Sequence, residues 1–175
     1  MDRVLSATGL NIQRGDGLQL CGKLLPEAKD FHVDLGEDSV NFMLHFSLRF
    51  DSHGDRDTVI CCFKQKGLFG AEEQRAHFPI QRGQDLKATF TFGTPELKVK
   101  VEEPVEMRKR EDTPMMEKAE KGSCMEQKTP DAPVTHHHSQ WEMEMVFPNR
   151  LVVKPIQDLV VKGDFKFQGL RILSL

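Results

Sequence analysis

No stretch of this chain is apolar for long enough to act as a signal peptide or to cross a membrane, the opening MDRVLSATGL included. The expectation is a soluble protein made in the cytosol, with no membrane insertion. Cysteine is scarce: four residues, Cys21, Cys61, Cys62 and Cys124, none of them in a CxxC pair. Adjacent Cys61 and Cys62 would face opposite sides of a strand, so free thiols are expected. Structural zinc, which normally takes ligands in close pairs, is not. Neither sign of charge predominates, since 24 Lys and Arg against 27 Asp and Glu leave a formal charge of −3. With a pI near 6.2 there is no overall pull toward nucleic acid or an anionic membrane. A nucleophile elbow is missing, and neighbouring Glu72 and Glu73 would sit on opposite faces of a strand rather than flank one substrate. The reading is therefore not an enzyme, with no catalytic residues, no cofactor and no metal site.

What the 175 residues do contain is strand pattern, in a chain of a length that suits one domain with a substantial core. Short alternating segments at 18–24, 31–35, 40–50, 58–63, 86–92, 97–101, 141–147 and 164–173 are separated by Gly, Pro, Asp or Asn. This spacing predicts an all-β sandwich. In VNFMLHFSLRF, Val40 to Phe50, every even position is apolar. One long strand would bury that face and line up His45, Ser47 and Arg49 on the other. Such a row is either a solvated sheet face or, with an aromatic wall beside it, a platform for a polar ligand.

Two segments predict their own pairing. In ELKVKV the residues Leu97, Val99 and Val101 alternate with lysines, and in WEMEMVF the residues Trp141, Met143 and Met145 alternate with glutamates. An antiparallel pair would set lysines against glutamates on the wet face. Between these strands, residues 102–139 hold four of the nine prolines and no Leu, Ile, Phe or Trp. That composition predicts a disordered insertion in a hairpin, with a transient helix over Met115 to Lys128. His136, His137 and His138 within it read as solvated histidines.

Taken in order, HFSLRF (45–50), DSHGD (51–55), TVICCFK (58–64), LFGAEEQR (68–75), HFPI (77–80) and FPNRL (147–151) closely resemble a prototype galectin, over about Gly9 to Leu173. The resemblance implies a jelly-roll β-sandwich of two antiparallel sheets that binds β-galactosides without metal or covalent chemistry. It also implies a site. The family's HFNPR motif supplies a His, an Asn and an Arg to galactose, and those positions hold His45, Ser47 and Arg49. His53 matches a second histidine. Cys62 stands where the family has an Asn, and Phe69 stands for the tryptophan that stacks on the sugar. In the WGxExR pattern the Glu position is Glu72 and the Arg position is Gln74. A second register, with a bulge after Gly70, would instead bring Arg75 into the groove.

Four contact positions therefore differ. Ser47 reaches less far than Asn, Cys62 is a poor hydrogen-bonding substitute, Phe69 is a smaller stacking face than indole, and Gln74 lacks a fixed charge. The implied function is a β-galactoside-binding lectin, for glycans of the lactose or N-acetyllactosamine type, with weakened or altered specificity. The alternative is a galectin-related protein that keeps the sandwich for structural or protein-contact purposes. Prototype galectins pair through their terminal strands, so a homodimer is implied. In DFKFQGLRIL the apolar parity changes at Gly169, which predicts a bulge that turns Leu170 and Ile172 outward, either to a second copy or onto Val4 to Ile12 of the same chain. Cytosolic synthesis is compatible with action outside the cell, because galectins are exported without a signal peptide.

Overall fold

The computed structural model describes residues 2–76, 78–93, 95–104, 141–149 and 154–174. In these the chain forms twelve strands: β1 (Arg3–Ala7), β2 (Gly17–Leu24), β3 (Asp30–Asp38), β4 (Asn41–Ser52), β5 (Asp55–Gln65), β6 (Leu68–Phe69), β7 (Glu73–Ala76), β8 (Asp85–Phe92), β9 (Glu96–Glu102), β10 (Glu142–Pro148), β11 (Asp158–Gly163) and β12 (Phe165–Leu173). One sheet has the order β1-β11-β3-β4-β5, with β6 and β7 both pairing along the outer edge of β5. The other has the order β10-β9-β8-β2-β12. All pairings are antiparallel, and the two sheets stack as a jelly-roll sandwich. The expected strands all form. β1, β6, β7 and β11 are additional, and three of them are too short or too polar to show a clear alternation.

The core lies between the sheets and is built by alternation. Leu44, Phe46 and Leu48 of β4 are fully buried, facing Leu18 and Leu20 of β2 and Phe90 of β8 across the interior. Phe46 and Phe90 meet edge-to-face with centroids 5.9 Å apart, and Phe31 stacks on Phe165 at 4.7 Å. Gly22 of β2 leaves the room that the Phe165 ring occupies.

Two bulges change faces that simple alternation assigns otherwise. In β4 the register shifts between Phe42 and His45, so Met43 and Leu44 together oppose the single residue Phe63 of β5. Met43 then enters the core, Phe42 turns to the opposite face, and Val40 is 45% exposed in the preceding turn. The even-position rule thus holds only from Leu44 onward. In β12 the expected irregularity is present between Phe167 and Gly169, but its consequence is the reverse of the expectation. Leu170 and Ile172 lie directly opposite Leu20 and Leu18, both core residues, so the bulge keeps them on the inner face instead of turning them outward. Leu170 packs on the core, whereas Ile172, on the last strand of its sheet, is 46% exposed.

β9 and β10 pair as their patterns predict, with Val101 opposite Met143 and Val99 opposite Met145. The charge matching is partial. Lys100 faces Glu144 and reaches Glu142 diagonally at 3.4 Å, whereas Lys98 faces Val146. Beyond Glu102 the backbone N–H of Glu103 donates to the Trp141 carbonyl at 3.2 Å, so the two strands are still paired where the described residues stop. The expected disorder, the helix over Met115 to Lys128 and the three-histidine tract lie outside the described residues.

Candidate functional site

Alternation along β3, β4 and β5 puts one set of polar side chains on the outer face of the larger sheet. Antiparallel register sets His45 between Asp34 and Cys62, Ser47 between His32 and Ile60, and Arg49 between Asp30 and Thr58. The β4–β5 turn is a two-residue loop in which His53 and Gly54 both have positive φ, 57° and 80°. This is the type I′ geometry that matches sheet twist, and it returns the chain at once so that Asp55 falls beside Arg49.

Arg49 is the centre of a charged row. Its Nη1 donates to Asp55 Oδ2 at 2.6 Å, its Nη2 lies 3.8 Å from Glu72 Oε2, and Gln74 Nε2 donates to Glu72 Oε1 at 3.3 Å. Its Nε is buried and has no hydrogen-bond partner among the described residues. At the other end of the row, His45 Nδ1 sits 2.5 Å from Asp34 Oδ1. A carboxylate in that place accepts the Nδ1 proton and leaves the Nε2 lone pair free for another partner. The His45 ring stands edge-on to Phe69, with centroids 5.3 Å apart, and Phe69 is 56% exposed. Lys64 Nζ lies over both Phe69 and Phe42, at 5.2 and 4.8 Å from the ring centroids.

The remaining residues are recessed or peripheral. Ser47 is 4% exposed and Cys62 is equally buried, so both lie at the floor between longer neighbours. Burial, followed by the charges of Glu72 and Asp34, pushes the Cys62 thiol up to about 11, so it stays protonated and a weak donor. His53 is held at the end of the face: its Nδ1 is 2.5 Å from Ser52 Oγ, which donates to Asp30 Oδ2 at 2.6 Å. Burial also pushes the His32 imidazole down to about 4; Asp34 opposes this, while His45 and Lys162 reinforce it. His32 is accordingly neutral at physiological pH.

The choice between Gln74 and Arg75 is decided by pairing. Gln74 lies opposite Ile60, on the face of Ser47, with no bulge in the β5–β7 ladder. Arg75 lies opposite Val59, a core position, and its Nη1 donates to the Glu144 carbonyl of the other sheet at 2.7 Å. The register with Arg75 in the groove is therefore overturned.

The profile described as Galactoside-binding lectin matches residues 4–108. The chain belongs to the galectin family of galactoside-binding lectins. Among curated relatives, the 16 kDa beta-galactoside-binding lectin of Gallus gallus is 34% identical over 171 residues, covering 98% of each chain. Galectin-1 of Sus scrofa is 33% identical over 164 residues, 94% of this chain and 93% of its own. Of solved structures, CG-16, a homodimeric agglutinin from chicken liver, superposes with a TM-score of 0.71 at 34% identity, covering 96% of this chain and 98% of that one. Toad ovary galectin in complex with thio-digalactose has the same fold, with a TM-score of 0.71 at 24% identity over 98% and 99% of the two chains.

Within the galectin frame, the structure also shows residues that motif reading passes over. Asp34 orients His45 and Asp55 pairs with Arg49, while Phe42 and Lys64 flank Phe69. Asp34 carries a signal, since FHVDL alternates and puts His32 and Asp34 on one face. Phe42 carries none, because the bulge alone moves it to this side.

Proposed function

We propose that the chain binds β-galactoside glycans of the lactose or N-acetyllactosamine type on this face, with weakened or altered specificity. The observation that carries the reading is Arg49. It is held by Asp55 and Glu72, yet its buried Nε–H lacks an acceptor among the described residues, on the same face that exposes Phe69 against His45. One sugar hydroxyl supplies that acceptor and donates its own proton to Glu72, a second hydroxyl donates to His45 Nε2, and the apolar face of the sugar ring lies on Phe69. Ser47, Cys62 and Gln74 give the sugar fewer or weaker hydrogen bonds than the family pattern, at roughly 1 kcal/mol for a neutral bond and 1.5–3 for a charged one. A modest affinity results. Membership of a family of galactoside-binding lectins supports a protein that acts by binding and not as an enzyme.

The partner side of the proposal is a homodimer through the terminal strands, supported by the homodimeric relative from chicken. β1 and β12 are the edges of their two sheets, they touch, and Ile172 is exposed there. No helix among the described residues is long and apolar enough to cross a membrane. We place the protein in the cytoplasm, with export that needs no signal peptide. The chain is read as a single carbohydrate-recognition domain interrupted at about 102–139.

Calorimetric titration with lactose and N-acetyllactosamine tests the site. Saturable binding is expected, reduced at least about tenfold in Arg49→Ala and in Phe69→Ala, where a charged contact and the stacking surface are lost. Folded variants at His45, Arg49 and Phe69 that bind as tightly as the parent would show the site to be misassigned. A parent that binds neither sugar would favour the galectin-related, non-lectin alternative.

A further inference from the structure

We infer that His32, Asp34 and His45 form a three-ligand site for a divalent transition-metal ion of the zinc class. The sheet assembles the cluster from two strands. His32 and Asp34 are two apart on β3 and share its outer face, and β4 sets His45 directly across from Asp34. One ligand atom from each residue lies within 4.8 Å of the other two. The imidazole rings are 4.9 Å apart between centroids, and His32 Nε2 is 3.5 Å from Asp34 Oδ2.

Bonds of about 2.0–2.1 Å in a tetrahedral zinc site put neighbouring ligand atoms about 3.3 Å apart. His32 Nε2 lies 3.5 Å from Asp34 Oδ2 and His45 Nδ1 lies 2.5 Å from Asp34 Oδ1, so an ion held by the carboxylate replaces the proton between His45 and Asp34, opens that contact and draws together three ligand atoms that already lie within 4.8 Å. Two imidazoles and one carboxylate are a donor set that zinc accepts while keeping an open fourth position. Calcium and magnesium would demand more oxygen ligands than the cluster offers. The open position faces a groove of about 400 Å³ that the three residues line together with Phe69, which gives an ion and its bound water a way in. The groove is also lined by Arg3, Lys64 and Lys162, whose charge opposes a cation, and by Asp38 and Asp158, whose charge favours one.

His45 is shared with the proposed galactoside site, but metal binding is tested without sugar and so stands or falls separately. The experiment is a cobalt(II) and zinc(II) titration of the full chain carrying His136→Gln, His137→Gln and His138→Gln, so that the histidine tract makes no contribution. It is read by visible d–d absorption and by calorimetry. One ion per chain is expected. Adding His32→Val or Asp34→Asn should weaken binding at least about tenfold, and zinc should shift the imidazole resonances of His32 and His45. His32→Val removes no residue of the proposed sugar site and replaces imidazole by a strand-forming side chain, so it serves even where Asp34→Asn impairs folding. Absence of binding in the tract variant, or equal affinity with and without His32, would overturn the proposal.

Discussion

Phe69 presents more than half its surface to solvent while its ring is braced edge-on by His45 and capped by Lys64. An indole in its place would enlarge the stacking face without losing either neighbour. Phe69→Trp is expected to tighten lactoside binding roughly two- to tenfold, the range of 0.5–1.5 kcal/mol for aromatic contacts. Unchanged or weaker affinity in calorimetry would remove Phe69 from the stacking role. Buried thiols give a second test at this scale. Burial, then the proximity of Cys62 and Glu73, pushes Cys61 from an ordinary value of 9.0 up to about 12, leaving its thiolate roughly a thousandfold scarcer near pH 8. Alkylation with peptide mapping should therefore label Cys61 only after denaturant is added. Labelling of folded protein at pH 8 at the rate of an exposed thiol would contradict its place in the core.

At the scale of elements, the two bulges decide which side chains meet which. β12 combines a bulge with a parity change in its sequence, and the two cancel, so Phe165, Phe167, Leu170 and Ile172 all stay on the inner side. β4 uses its bulge differently, exchanging Met43 for Phe42 and so building the aromatic flank beside Lys64. Close packing between β2 and β12 leads to a prediction. A Cβ on Gly22 would collide with the Phe165 ring and with the Lys166 carbonyl, and the ring is held by its stack on Phe31. Gly22→Ala should cost about 1–3 kcal/mol, seen as a lower midpoint in urea with an unchanged slope. A midpoint equal to the parent's would mean that the β2–β12 contact is looser than this structure has it.

For the whole molecule, the sandwich and the 102–139 segment are expected to be separable. The Glu103–Trp141 hydrogen bond already closes the β9–β10 hairpin, so a short turn in place of residues 104–140 joins strands that are paired. Closure entropy changes only slowly with loop length. The shortened protein should keep its fold and melt within a few degrees of the parent, and loss of cooperative unfolding would show the segment to be integral. Assembly is tested at the other side of the sandwich. Sedimentation at micromolar concentration should give a dimer, and Ile172→Asp should dissociate it, because a charge would enter an apolar edge. A parent that stays monomeric, or a dimer indifferent to that change, would exclude this interface.

Alternation and turn residues are properties of consecutive positions, which is why the all-β class, eight of the strands, the β9–β10 pair and the row His45, Ser47, Arg49 are legible in the sequence alone. Spaced motifs likewise carry Phe69, Glu72 and Gln74 onto one site. Register between strands depends instead on how bulges and turns bring distant segments level, and no single strand contains that information. Only the assembled sheet places Asp34 on His45 and Asp55 on Arg49, directs Arg75 away to Glu144, and sets Leu170 and Ile172 on the same face as Leu20 and Leu18. The same pairing closes His32, Asp34 and His45 into a cluster, since a residue two positions along one strand and another eleven further on become neighbours only when the hydrogen-bonded ladder sets them side by side.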